Sequence, residues 1–169
     1  MRFRAHSLGC RAVAATPAVR VLEKAKVAHT LHPYDPDHPS ERGYGEAAVD
    51  ALGSDPRQVF KTLVARVDGE LTVAIVPVAG TLDLKALAAA AGGRKAAMAD
   101  PADAERSTGY VVGGISPLGQ RKALPTVVDD SALQFGTVLV SAGKRGLQVE
   151  LAPADLVRLT RARTAPIGR

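Results

Sequence analysis

Residues 59–67 and 70–78 are two apolar, β-branched runs separated only by Asp68-Gly69. Asp-Gly between such runs predicts a tight hairpin, because both residues tolerate the positive φ a two-residue turn demands. Upstream, Thr16-Pro17 reads as a helix cap with proline in the first turn. Ala18, Val21, Leu22 and Ala25 then supply an apolar face at helical spacing. Residues 29–34 form a short extended run that ends among Pro33, Pro36 and Pro39. Residues 35–45 read as a polar, Pro/Gly-rich loop, long enough to be a lid or pocket rim. A brief helix is expected over 46–52, closed by Gly53. Another is expected over 82–91, with Thr81 as cap and Gly92-Gly93 as stop. Asp100-Pro101 opens a helix to about Arg106, and Pro153 opens the last one to about Arg163. Short strands are expected at 110–112, 126–129, 137–141 and 147–151.

A hairpin, short turns and irregularly spaced helices argue against regular βαβ winding. The pattern predicts an α+β fold, with a mixed, largely antiparallel, barrel-like sheet surrounded by helices. The 169 residues are most economically one domain over 16–163, with 1–15 as a loose leader and 164–169 as a C-terminal tail. With three Phe, three Tyr and no Trp, the core is built from Val, Leu, Ile and Ala. The same scarcity disfavours a broad base-stacking surface and a general RNA-binding domain.

The net charge of +5 suits a polyanionic partner, but much of the excess sits in terminal arginines such as Arg2, Arg4, Arg161 and Arg169. Cys10 is the single cysteine, so the sequence holds no internal disulfide or thiolate cluster, in keeping with a reducing cytoplasm. The N-terminal segment has no continuous apolar core of a signal peptide. The alanine-rich stretch 86–91 is too short to span a membrane. A soluble cytoplasmic protein without membrane contact is the expectation.

Three features hold candidate chemistry. Lys61 lies on an apolar strand, where alternation puts Val59, Lys61 and Leu63 on one face and Phe60, Thr62 and Val64 on the other. Such a lysine either snorkels to solvent or enters a polar pocket, where its ammonium suits phosphate, carboxylate or a carbonyl oxygen. Residues 109–120 set a β-branched run against Gly113, Gly114, Ser116, Pro117 and Gly119, a loop able to bring backbone amides close to a ligand or simply to turn. Residues 141–146, Ser-Ala-Gly-Lys-Arg-Gly, form a second polar turn, basic and hairpin-like or anion-binding. The spacing is wrong for a nucleotide-binding P-loop, since six residues separate Gly136 from Gly143 and a strand follows. His6, His29, His32 and His38 make no metal set, and no metal or cofactor is expected. No G-x-S-x-G elbow and no defensible carboxylate pair occurs. The sequence therefore offers pocket elements without a protein nucleophile.

In this order, Thr16-Pro-Ala, Tyr34-Asp, Tyr44-Gly, Phe60-Lys-Thr-Leu63, the run Ser107–Gln120 and the 141–146 turn resemble YbaK-type proteins. These are freestanding relatives of the editing domain of bacterial prolyl-tRNA synthetase, and the resemblance covers roughly 15–162. It points to the branch that removes cysteine mischarged onto proline tRNA. The resemblance implies Lys61 as the essential residue with Thr62 beside it, and Tyr34 and Tyr44 as pocket-lining aromatics. It implies Gly113, Gly114, Ile115, Ser116 and Pro117 as the loop holding the aminoacyl end. Ser141 and Gly143 would form the second rim, with Lys144 contacting the tRNA end. The substrate's own thiol would attack its ester carbonyl, which agrees with the missing protein nucleophile. Prolyl-tRNA synthetase is the implied partner in choosing the tRNA. Two departures stand out: Ala142 replaces a frequent glycine, and the loop 35–43 differs slightly in length, which loosens the match at Tyr44. Rival readings are the same fold acting on Ala- or Ser-tRNA, and a non-catalytic tRNA- or synthetase-binding module.

Overall fold

The computed structural model describes residues 16–169; the leader reading of 1–15 and Cys10 lie outside them. In chain order the elements are α1 (Pro17–Lys24), β1 (His29–Pro33), α2 (Tyr44–Leu52), β2 (Phe60–Val67), β3 (Glu70–Pro77), α3 (Leu84–Ala90), β4 (Ala96–Met98), α4 (Pro101–Thr108), β5 (Thr126–Asp129), a 3-10 turn (Asp130–Gln134), β6 (Val138–Lys144), β7 (Leu147–Leu151), α5 (Pro153–Thr160) and β8 (Arg163–Ala165). The hairpin expected from Asp68-Gly69 forms as β2–β3, with both turn residues at positive φ, 48° and 87°.

Two sheets result, β4-β2-β3-β5-β8 and β1-β7-β6, linked by a parallel bridge between Val59 and Leu139. Only β3–β5 and β5–β8 run parallel, so the expected mixed, largely antiparallel α+β architecture is present. Alternation along β2 feeds two cores. Phe60 and Val64 join the main core with Val138, Val140, Leu147 and Val149. Ala65 and Val67 join a second core under α3, with Leu63 packed against it. Aliphatic side chains dominate both, as composition demanded.

Several local expectations change. Helix α3 is capped by Asp83, whose carboxylate accepts the Ala86 N–H at 3.0 Å, while the Thr81 backbone pairs with Arg169. Helix α2 starts at Tyr44, two residues early, because Gly43 caps it at φ 130°. Residues 110–112 are loop, not strand: the Tyr110 N–H goes to Thr108 Oγ1 and the Val112 N–H to Glu105 Oε1. These side-chain acceptors replace a ladder partner. The strand β4 and the 3-10 turn were not anticipated.

Residues 164–169 are built in rather than trailing. Helix α5 stops at Thr160, β8 pairs with β5, and Ile167 is fully buried. The buried Asp129 carboxylate holds this end by accepting the N–H groups of Ile167 (3.0 Å), Gly168 (2.8 Å) and Ser131 (3.3 Å).

Candidate active site

Strand β2 is covered by β3 along one edge from Phe60 to Val67. On its other edge β4 pairs only with Ala65–Val67, and β6 is bridged to the segment at Val59, just before β2. The Ala99 N–H closes the β4 side by donating to the Val64 carbonyl at 3.1 Å. Between these contacts no strand pairs with that edge, and a cavity of about 310 Å³ opens against it. Backbone groups alternate edges along a strand. Thr62, two residues from Val64, therefore directs its N–H and C=O into the gap.

The opposite wall comes from the smaller sheet, where Ser141 and Gln148 face each other across β6 and β7. The first turn of α2 and the start of α4 close two further sides, and Val112, Gly113 and Ile115 add to the rim. Most of this lining is apolar, with Val59, Leu63, Val64, Met98, Ala104 and Ile115 contributing. Within it lie two buried polar atoms without a hydrogen-bond partner, Thr62 Oγ1 and Gln148 Oε1. A buried polar atom left unpaired costs about 1–3 kcal/mol, so two of them in the lining of one cavity suit a ligand that pairs with both. Lys61 is half-buried in the same lining, and among the described residues it makes no ion pair within 4.0 Å. The cavity lining thus includes Lys61 without an ion pair, the acidic Glu46, two polar atoms without partners and an open strand edge. Its lining contains no His or Cys, and the described residues contain no group of three metal-binding side chains.

Residues 38–159 match the sequence model of the aminoacyl-tRNA editing domain. The chain belongs to that family. A relative from Enterococcus faecalis, EbsC, is 40% identical over 90% of this chain and 92% of its own length. Its provisional name is Cys-tRNA(Pro)/Cys-tRNA(Cys) deacylase. An Escherichia coli relative, the multifunctional Ser/Thr-tRNA deacylase ProXp-y, is 32% identical over 69% of this chain and 73% of its own. A solved structure provisionally described as a trans-editing enzyme for prolyl-tRNA synthetase superimposes with TM-score 0.72, at 21% identity over 99% of both chains. The hypothetical protein APE2540 superimposes with TM-score 0.79, at 23% identity over 90% of this chain and 99% of its own.

In this editing-domain chain, Tyr44, Lys61, Thr62, Gly113, Ile115 and Ser141 come together around the cavity. Tyr34, Gly114, Ser116, Pro117, Gly143 and Lys144 do not line it, each for a visible reason. Ser116 is fully buried and its hydroxyl accepts the Leu118 N–H, so it shapes the loop from inside; Pro117 is buried beside it. A Cβ on Gly114 would stand 2.8 Å from Arg145 N, so this glycine lets the loop press on the second turn. Gly143 sits in a β-bulge against the Tyr110 ring. Tyr34 is tied to that turn by its N–H donating to the Gly146 carbonyl at 2.9 Å. Lys144 is exposed at the turn. Ala142, the departure from glycine, is fully buried in the main core.

Two residues that chain pattern alone does not single out lie in or beside the cavity wall. Gln148 interrupts Leu147 and Val149 in a strand, a pattern that reads as an ordinary solvent-facing position; the structure buries it, 7% exposed, in the cavity wall. Arg145 reads as surface charge, yet its guanidinium lies 4.6 Å from the Tyr44 ring centroid.

Proposed function

We propose that this protein hydrolyses the ester of mischarged aminoacyl-tRNA as a trans-editing deacylase, with Cys-tRNA(Pro) as its substrate. The observation that carries the reading is the two unpartnered polar atoms, Thr62 Oγ1 and Gln148 Oε1, in a pocket whose lining also includes the unpaired Lys61. An aminoacyl ester brings what such a pocket lacks. Its α-ammonium donates to Thr62 and Gln148, and its carbonyl oxygen takes the charge that Lys61 stabilises as the carbonyl carbon is attacked. The Thr62 N–H, on the open edge of β2, is a second donor for that oxygen.

The nucleophile is the substrate's own sulfur. A C–S bond forms at the ester carbonyl while the C–O3′ bond breaks. The thiol proton passes to the leaving 3′ oxygen, giving a four-membered thiolactone and free tRNA; water then opens the thiolactone to cysteine. The cavity lining supplies orientation and charge. Ser141 and Ile115 bound the amino-acid end, and the rim at Tyr44 and Gly113 receives the terminal adenosine. The exposed Lys144 meets a tRNA phosphate. Tyr34, Gly114, Ser116, Pro117 and Gly143 act through the shape of the two turns. A small domain makes few phosphate contacts, so prolyl-tRNA synthetase supplies the choice of tRNA.

The test is a deacylation panel with labelled Cys-, Ser-, Thr-, Ala- and Pro-tRNA(Pro), run beside Lys61→Ala. Fast release of cysteine, lost in the variant, supports the reading. Faster release of serine or threonine moves the specificity toward that of the E. coli relative. Binding of tRNA without release of any amino acid overturns the enzyme assignment. Adding prolyl-tRNA synthetase should lower the KM for Cys-tRNA(Pro); no change removes it as partner.

A further inference from the structure

Arg145 joins three segments beside the cavity. Residues 111–114 form a turn in which the Gly114 N–H donates to the Val111 carbonyl at 2.9 Å and Gly113 takes φ 87°. This is the signature of a type II turn, in which the central carbonyl, here Val112 O, is directed away from the turn. The Arg145 guanidinium takes that carbonyl through Nε at 3.0 Å and Nη2 at 2.7 Å. The same guanidinium stacks on the Tyr44 ring. Gly113 fills the corner: a Cβ there would stand 2.8 Å from the ring and 2.9 Å from Arg145 Nε. The β6–β7 turn, the glycine loop and the first turn of α2 are thus clamped by one side chain.

Tyr44 is nevertheless 49% exposed, and Met98 (51%) and Val111 (53%) are exposed near the same mouth. A large ring held by a guanidinium yet half exposed, in the lining of a pocket sized for an amino acid, suits a flat, uncharged ring system. We infer that Arg145 is a positioning residue that fixes Tyr44 as the seat for the purine base of the 3′-terminal adenosine. The inference rests on the aminoacyl-tRNA reading above. The guanidinium orders the ring before the base arrives and polarises it from behind, so less freedom is lost on binding. Arg145 touches neither the ester nor the amino acid, so its effect appears in affinity for the base.

The experiment compares two stable probes, 3′-cysteinylamino-3′-deoxyadenosine and the same molecule lacking the base, by calorimetry on the full chain. Arg145→Ala should weaken the adenosine probe about ten-fold and leave the base-less probe within about two-fold. Steady-state deacylation should show the same loss as a raised KM with kcat little changed. Arg145→Lys keeps a cation over the ring but not the fork on the Val112 carbonyl, so it should recover part of the affinity. Tyr44→Ala should add little to Arg145→Ala. Equal weakening of both probes marks a merely structural role and overturns the inference, as does unchanged affinity in Arg145→Ala. If the wild-type protein binds neither probe and releases no amino acid, the aminoacyl-tRNA reading fails with it. If it deacylates and binds normally while Arg145→Ala behaves as wild type, only this inference falls.

Discussion

Thr62 Oγ1 and Gln148 Oε1, on strands of different sheets, are both buried in the lining of one cavity and both lack a hydrogen-bond partner. Folding leaves both atoms without a polar partner in that lining. An apolar replacement should therefore affect stability and function in opposite directions. Thr62→Val and Gln148→Leu should leave the unliganded protein as stable as wild type or up to about 1 kcal/mol more stable. Each should slow deacylation about ten-fold or more. Urea unfolding beside a Cys-tRNA(Pro) assay decides it; a stability loss above about 1 kcal/mol would show that both groups are satisfied in solution.

Lys61 separates charge from packing. It is half-buried and without an ion pair among the described residues, so Lys61→Ala should change stability by less than about 1 kcal/mol. Activity should fall by about 100-fold or more if the ammonium stabilises the developing oxyanion. Lys61→Arg keeps the charge in a planar fork and should restore only part of the rate. Wild-type rates in Lys61→Ala would remove the lysine from the chemistry.

The latch at Asp129 predicts a different phenotype, confined to stability. Asp129→Ala strips the acceptor from the backbone N–H groups of Ile167 and Gly168, and Ile167 is fully buried. The expected cost is about 3 kcal/mol. Deleting residues 166–169 should cost a similar amount, and the two changes together should be far from additive. Thermal unfolding of the three variants measures this; a cost under about 0.5 kcal/mol in Asp129→Ala would mean that the end is held by other contacts.

Tyr110 braces the glycine loop from beneath, donating its hydroxyl to the Leu118 carbonyl at 2.7 Å. Burial pushes its phenol up from 10.0 to about 12. An unfolded tyrosine ionises near pH 10, so above that pH unfolding releases a proton that the folded state retains. The stabilisation from a neutral Tyr110 is complete below about pH 10 and is lost as the pH rises toward 12. Tyr110→Phe should cost about 1 kcal/mol at neutral pH and flatten the alkaline decline. Unfolding free energies at pH 8, 10 and 11 test both signs, and a variant with the wild-type alkaline slope would assign that slope to other groups.

The candidate site was unevenly legible. Lys61 and Thr62 stood out because a lysine within Val-Phe-Lys-Thr-Leu-Val breaks the apolar alternation of a strand. The glycine loop stood out through its composition, but half its residues serve a purpose the sequence hides. Gly114 and Gly143 admit close approaches between segments 20 or more residues apart, and no local pattern reports such contacts. Gln148 was invisible because alternation alone assigns it to a polar face, and only the packing of the two sheets turns that face inward.

Local physics in the chain determined the hairpin at Asp68-Gly69, the helix at Thr16-Pro17, the aliphatic core and the α+β class, because turn chemistry and periodicity act over a few residues. The motifs spread along it also marked the family. Tertiary structure alone decided that β4 and β6 leave an edge of β2 unpaired, that Gln148 and Thr62 line one cavity there, that Arg145 clamps Tyr44, and that residues 163–165 add the last strand of the larger sheet. Each depends on where strands end relative to one another in space, which is set by the packing of whole sheets.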